Sequence, residues 1–206
     1  MSRAVIILAG GLSQRFGQDK CLKDLAGQPL VAHVLRRVLK VADERLIVAG
    51  SEAQQRALSR LPGLNARVVV DRYQDHSPLV GALSGFESVA AEFALLLPCD
   101  AAFVSVDVVS LLLDLCVGRS AAIPRWPNGY IEPLQAAYDV KMARDAAKRA
   151  LDEGKRDMLS MIAHLRGVRY VSTLVWQQFD ERLSTFNNIN TVEDWRRAEA
   201  MLKKSG

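Results

Sequence analysis

A doubly wound, mostly parallel α/β sheet is the fold class this sequence predicts, and three observations lead there. Short, continuous apolar runs rich in Val, Ile and Leu recur at residues 4–8, 45–49, 67–70 and 93–97, as strands buried on both faces require. Segments of helical period separate them, beginning with Leu30, Val34, Val38 and Val41; strands that alternate with helices build a parallel sheet from βαβ units. Turn-forming glycines or aspartates follow the runs, at Gly10, Gly50, Asp71 and Asp100. They place polar chemistry at strand C-termini, where ligands of such sheets bind. With 206 residues, half of them apolar, the chain can bury a full core without a metal or disulfide staple, and a single domain spanning residues 1–206 is expected.

Each element has its own signal. Residues 4–8 form the first strand and Gly10-Gly11 the turn after it. Pro29 opens a helix, residues 45–49 (RLIVA) return to strand, and a polar helical stretch at 51–61 ends at Pro62-Gly63 before the strand RVVV at 67–70. Ser77-Pro78 reads as an N-cap with proline at the first helical position, so a helix runs from there towards Ala91. The strand FALLL at 93–97 leads to Asp100, and Ser105 caps a helix through Cys116 that stops at Gly118. Pro127-Asn128-Gly129 is a turn between residues 121–125 and 131–138, which predicts an antiparallel strand pair in the C-terminal half. Helical stretches near 139–152 and 157–165 precede a strand at 168–172, and Thr191 caps a last helix with Asp194 in its third position.

Composition excludes several classes. The formal charge of +4 suits an anionic ligand. Lys and Arg are nevertheless scattered, with no run that marks a nucleic-acid-binding arm, so no nucleic-acid partner is expected. No apolar run approaches the roughly 18 residues of a membrane span, so no membrane partner is expected either. The three cysteines, Cys21, Cys99 and Cys116, are an odd number without zinc-site spacing, and the three histidines lie far from them. Unpaired thiols in a reducing cytoplasm are the plain expectation, with Cys99 a small buried hydrophobe and Trp126, Trp176 and Trp195 packing residues.

Residues 8–20, LAGGLSQRFGQDK, place three glycines, a hydroxyl and two cations directly after the first strand. Gly10 and Gly11 let consecutive backbone N–H groups approach phosphate oxygens as an anion nest, while Arg15 and Lys20 bring positive charge. A triphosphate attacked at its α-phosphorus releases pyrophosphate, whose growing charge Arg, Lys and a metal ion stabilise. The P-loop spacing GxxxxGK[ST] and the dinucleotide fingerprint GxGxxG are both absent. Aspartate also caps turns, and that alternative stays open for Asp71 and Asp100.

The stretch at 8–20 resembles the signature of the molybdenum cofactor guanylyltransferase (MobA) family, within the nucleotidyltransferase-fold group. Further blocks follow in that family's order: Gly27-Gln28-Pro29-Leu30, Ser77-Pro78-Leu79-Val80-Gly81, Pro98-Cys99-Asp100, Pro133-Leu134-Gln135-Ala136 and Asn188-Ile189-Asn190-Thr191. The resemblance implies a cytoplasmic enzyme with a Rossmann-like nucleotidyltransferase domain, its N-terminal part binding nucleotide and its C-terminal part the acceptor. Its reaction is the transfer of GMP from GTP to the terminal phosphate of molybdopterin or Mo-molybdopterin with Mg²⁺ as cofactor, and a molybdoenzyme or its chaperone stands downstream. Carried over residue by residue, the catalytic set is Arg15, Lys20 and Asp100, with Asp100 the metal ligand. The nucleotide-binding and acceptor-binding set is Leu8, Ala9, Gly10, Gly11, Ser13, Lys20, Asp71, Gly81 and Asn190. Ser77, Ala101-Ala102 and Ala49-Gly50-Ser51 depart from the family pattern, which bears on base choice more than on chemistry. Two other readings are a cytidylyl- or sugar-phosphate nucleotidyltransferase of the same fold, and a GTP-binding partner of a molybdoenzyme without turnover.

Overall fold

The computed structural model describes residues 1–10, 19–73 and 77–204. Its centre is strand β1 (Arg3–Leu8), every residue of which after Arg3 is buried. Two parallel strands flank it, β4 (Glu44–Ala49) in the register Ala4↔Glu44 and β6 (Phe93–Pro98) in the register Arg3↔Phe93. The two-residue strands β2 (Asp24–Leu25) and β3 (Gln28–Pro29) form a separate antiparallel pair. With β5 (Arg67–Val70), β7 (Ala121–Arg125), β8 (Ala136–Asp139) and β9 (Val168–Ser172), the main sheet has seven strands in the order β5-β4-β1-β6-β8-β7-β9. Only β8 runs antiparallel to its neighbours.

The alternation of side chains along β1 shows why the sheet is covered twice. Val5, Ile7 and Ala9 face a core shared with α1 (Leu30–Val38), α2 (Glu52–Ser59) and α4 (Val106–Cys116). Ala4, Ile6 and Leu8 face the opposite core, built with α3 (Pro78–Ser88), α5 (Val140–Asp152) and α6 (Met158–Ala163). A period of two on a strand apolar throughout therefore feeds two cores. Gly85 of α3 packs directly on β1: a Cβ on Gly85 would stand 2.5 Å from Ile6 Cγ2. A third, smaller cluster joins Leu25, Leu30, Ala102 and Ile189 to Trp195 and Ala198 of α8 (Val192–Lys204).

Helix starts follow the sequence. Ser51, Ser77, Ser105, Asp139 and Asp157 each accept a hydrogen bond from the backbone N–H three residues on. Thr191 Oγ1 accepts from Asp194 N–H at 3.1 Å while Asp194 Oδ2 accepts from Thr191 N–H at 2.8 Å, a reciprocal cap.

The strand pair in the C-terminal half differs in one respect from expectation. The turn forms, with Gly129 at φ 89° and an isolated bridge from Arg125 to Ile131. The second strand then begins at Ala136 instead of residue 131. Pro133 has no N–H to give a ladder, and Gln135 N–H closes a turn on Glu132 O at 3.2 Å. The four-residue helix α7 (Thr173–Trp176) and a 3₁₀ turn at Ser184–Phe186 carry no periodicity to read. No helix among the described residues is long and apolar enough to cross a membrane.

Candidate active site

The site is built at the carboxyl ends of the two central strands. β1 ends at Leu8, and the N–H groups of Ala9 and Gly10 both donate to Val48 O, at 2.9 and 3.2 Å, turning the chain over the tip of β4. A side chain on Gly10 would meet the Gly50 backbone at 3.2 Å, so the two glycines permit this crossing. Gln54 of α2 holds both strand ends: its Nε2 donates to Ala9 O at 3.0 Å and its Oε1 accepts from Gly50 N–H at 2.7 Å. Nothing in the sequence singles out Gln54, whose role depends on two strand ends meeting in space.

Asp100 follows β6, tied to β1 through Cys99 N–H and Leu8 O at 3.1 Å. Its Oδ2 accepts from Lys20 Nζ at 2.6 Å, and Lys20 Nζ also reaches Asn190 Oδ1 at 3.0 Å. Three residues separated by 80 and 170 positions thus meet at one ammonium group. Both members of the ion pair are largely buried, at 12% and 13% side-chain exposure, which sets it apart from an exposed surface pair. Asp100 Oδ1 is buried with no hydrogen-bond partner among the described residues. An unmatched carboxylate oxygen is costly without a cation or donor. No group of three or more His, Cys, Asp or Glu side chains comes together among the described residues. A lone carboxylate of this kind fits Mg²⁺, which binds one or two carboxylates and completes its shell with phosphates and water.

Asp71 lies across the sheet at the end of β5, its N–H on Ala49 O at 2.7 Å. Three inter-strand steps separate β5 from β6, a span of roughly 14 Å at about 4.8 Å per step. Asp71 Oδ1 accepts from Ser84 Oγ at 2.6 Å and, more weakly, from Tyr73 N–H at 3.3 Å. A Cβ on Gly81 would stand 3.5 Å from Leu8 Cδ2 and 3.9 Å from Asp71 Oδ2, so the glycine keeps open the space between these two residues. Leu8, Ala9, Gly10, Lys20, Asp100 and Asn190 therefore gather at the centre, and Asp71 with Gly81 forms a flank that Leu8 connects to them. Gly11, Ser13 and Arg15 lie outside the described residues.

Beyond Asn190 a cleft continues along Phe103, Tyr130, Glu132 and Asn188 to Arg197. Burial pushes the Glu132 carboxyl above the usual carboxylate range, and the hydrogen bond from Trp126 Nε1 at 2.7 Å opposes that shift. The three tryptophans pack as expected: Trp176 is fully buried, Trp126 meets Phe186 edge to face, and Trp195 lies under the Lys23 ammonium at 4.4 Å.

The cysteine expectation is corrected. Cys99 is buried, but it is joined to Cys21 in a disulfide, with Cα atoms 5.9 Å apart. The pair stands 78 residues apart in sequence and becomes adjacent because the segment after Lys20 passes the tip of β6. Only Cys116 remains a free thiol.

A mostly parallel doubly wound sheet, with a carboxylate and a lysine at the carboxyl ends of its central strands, is the architecture of the nucleotidyltransferase class of enzyme. The chain belongs to the MobA-like NTP transferase family, whose domain matches residues 5–168. It is 32% identical to a probable molybdenum cofactor guanylyltransferase of Methanosarcina mazei, over 93% of this chain and 88% of that one. Molybdopterin-guanine dinucleotide biosynthesis protein A of Archaeoglobus fulgidus superposes with a TM-score of 0.83 at 29% identity, covering 98% of this chain and 99% of that one. The fold also extends to the 2-C-methyl-D-erythritol 4-phosphate cytidylyltransferase of Thermus thermophilus, with a TM-score of 0.73 at 18% identity, covering 98% of this chain and 100% of that one.

Proposed function

We propose that this chain transfers GMP from GTP to the terminal phosphate of molybdopterin, releasing pyrophosphate, with Mg²⁺ as cofactor. The observation that carries this reading is the contact of Lys20 Nζ with Asp100 Oδ2 at 2.6 Å, beside the unmatched Asp100 Oδ1. The names of the similar proteins supply the base and the acceptor.

In this mechanism an oxygen of the acceptor phosphate bonds to the α-phosphorus of GTP as the bond to the pyrophosphate leaving group breaks. Asp100 holds Mg²⁺, which neutralises phosphate charge when bound. Leu8, Ala9, Gly10 and Gly11 let the backbone approach the triphosphate, Ser13 offers it a hydroxyl, and Lys20 and Arg15 offset the repulsion between two anions. Asp71 and Gly81 hold the nucleoside side, at a distance from Asp100 that suits an extended nucleotide. Asn190 orients Lys20 and borders the cleft that receives the pterin. The acceptor is already an ionised phosphate, so no general base is assigned. The whole chain acts as one cytoplasmic domain, and its product passes to a molybdoenzyme or its chaperone.

Pyrophosphate release is measured with Mg²⁺ and molybdopterin in the presence of GTP, CTP or ATP. Turnover is expected with GTP, and Asp100→Asn is expected to lower kcat by about 100-fold or more, the scale of losing a charge-stabilising group. Turnover with CTP in place of GTP, or full activity of the Asp100 variant, refutes the reading.

A further inference from the structure

Two covalent neighbours of the catalytic pair are bonded to each other. Cys21 directly follows Lys20, Cys99 directly precedes Asp100, and their sulfurs form the disulfide. This arrangement ties the exit of the glycine-rich loop to the tip of β6, one residue from the ion pair on each side. Apart from the Lys20–Asp100 ion pair, the segments it joins are anchored separately. Cys21 N–H donates to Asp19 Oδ1 at 3.0 Å and Cys21 O accepts from Val31 N–H at 3.1 Å, while Cys99 N–H donates to Leu8 O. The reduced state also has a place for its hydrogen: Cys21 Sγ lies 3.4 Å from Ala9 O, an acceptor for a thiol S–H. Hence both oxidation states of Cys21 are accommodated at the end of β1.

We propose that Cys21 and Cys99 are a reversible thiol–disulfide modification site, which exchanges with a small disulfide/thiol couple and in its oxidised form tightens the binding of the metal–triphosphate. The proposal rests on the reading of this centre as the triphosphate site. In the forming direction the sulfur of Cys99, the more exposed residue of the two at 8% against 1% for Cys21, attacks a low-molecular-weight disulfide RSSR. The RS–SR bond breaks, and one RS group leaves with the proton from Cys99. The Cys21 sulfur then attacks Cys99 in the mixed disulfide, and the second RS group leaves with the proton of Cys21. Two protein thiols are oxidised and one RSSR is reduced to two RSH. Cys116 takes no part: it is the fully buried last residue of α4, and burial pushes its thiol up to about 12, which leaves it without nucleophilic thiolate at neutral pH.

The direction of the effect follows from space. Two unbonded sulfurs need more room than a bonded pair, so reduction moves the Lys20 segment away from β6. Lys20 and Asp100 are 2.6 Å apart across that seam, and positioning errors near an ångström are costly at such a centre.

The test equilibrates the whole protein in glutathione buffers of fixed oxidised-to-reduced ratio. Alkylation and mass measurement are expected to show Cys21 and Cys99 lost as a pair in oxidising buffer and regained in reducing buffer. The Kd for Mg²⁺–GTP, measured by calorimetry on the same samples, is expected to rise about tenfold on reduction and to recover on reoxidation. A Cys21→Ser/Cys99→Ser variant is expected to bind equally in both buffers, at the weaker value, and Cys116→Ser to keep the full response. Free Cys21 and Cys99 in oxidising buffer, or one Kd in both buffers for the unmodified protein, overturns the inference. The thiol count is read without nucleotide and the Kd is repeated with CTP, so an error in base choice is distinguishable from failure of the switch.

Discussion

Ser84 is a fully buried hydroxyl in α3 with a partner on each side: it donates to Asp71 Oδ1 at 2.6 Å and accepts from Arg72 N–H at 3.2 Å. Its chemistry is positional, because it fixes the rotamer of the carboxylate that the proposed function puts on the nucleoside side. Ser84→Ala is expected to raise KM for GTP about fivefold with kcat within about twofold, and to lower stability by on the order of 1 kcal/mol. Steady-state kinetics checks this, and an unchanged KM removes Ser84 from the site. At this scale the sequence was legible where residue type and position coincide. Gly10, Lys20 and Asp100 stand out because a glycine turn, a lysine and a strand-end aspartate have few other reasons to share one edge of a sheet. Asp71 and Asp100 each had a capping alternative; in the structure Asp71 accepts from Tyr73 N–H two residues on, as a capping aspartate does, as well as from Ser84, while Asp100 engages Lys20 and leaves one oxygen unmatched among the described residues. Gln54 and Ser84 were not legible, since a glutamine and a serine on helices carry no signal until the opposing strand ends are placed. The disulfide was hidden for the same reason.

The packing of α3 on β1 depends on a missing methyl. Gly85→Ala gains about 1 kcal/mol of helix propensity, yet the added Cβ would stand 2.5 Å from the buried, branched Ile6 side chain. Overpacking of this kind costs about 1–3 kcal/mol, so the net expectation is destabilisation, read as a lower urea midpoint; a higher midpoint refutes it. Most elements were legible because their signals are local: apolar runs for β1, β4, β5 and β6, and side-chain caps for α3, α4 and α8. The second strand of the C-terminal pair was displaced, because a turn motif fixes where the chain reverses but not where pairing resumes. The short β2 and β3 pair was missed, having only two residues per strand to carry a pattern.

Across the whole molecule, segments far apart in sequence meet beside the site. Leu25 and Leu30 pack with Ile189, Trp195 and Ala198, and Asn190 N–H is held by Asp194 Oδ2 at 3.0 Å, so α8 positions the residue that meets Lys20. No strand of the main sheet comes from α8 or beyond. A chain ending after Asn190 is therefore expected to keep the circular dichroism of its sheet and the other helices while pyrophosphate release falls at least about tenfold; unchanged release refutes a role for the C-terminal helix in the site. The central place of β1 bears as well on how the molecule is made. Arg3–Leu8 leaves the ribosome before both of its partners, Glu44–Ala49 on one edge and Phe93–Pro98 on the other. Until the second has been synthesised, one side of an apolar strand has no native mate, and the nascent chain carries an open template for mispairing. A central, almost wholly buried strand of the finished enzyme is thus a segment that nascent-chain chaperones have reason to shield.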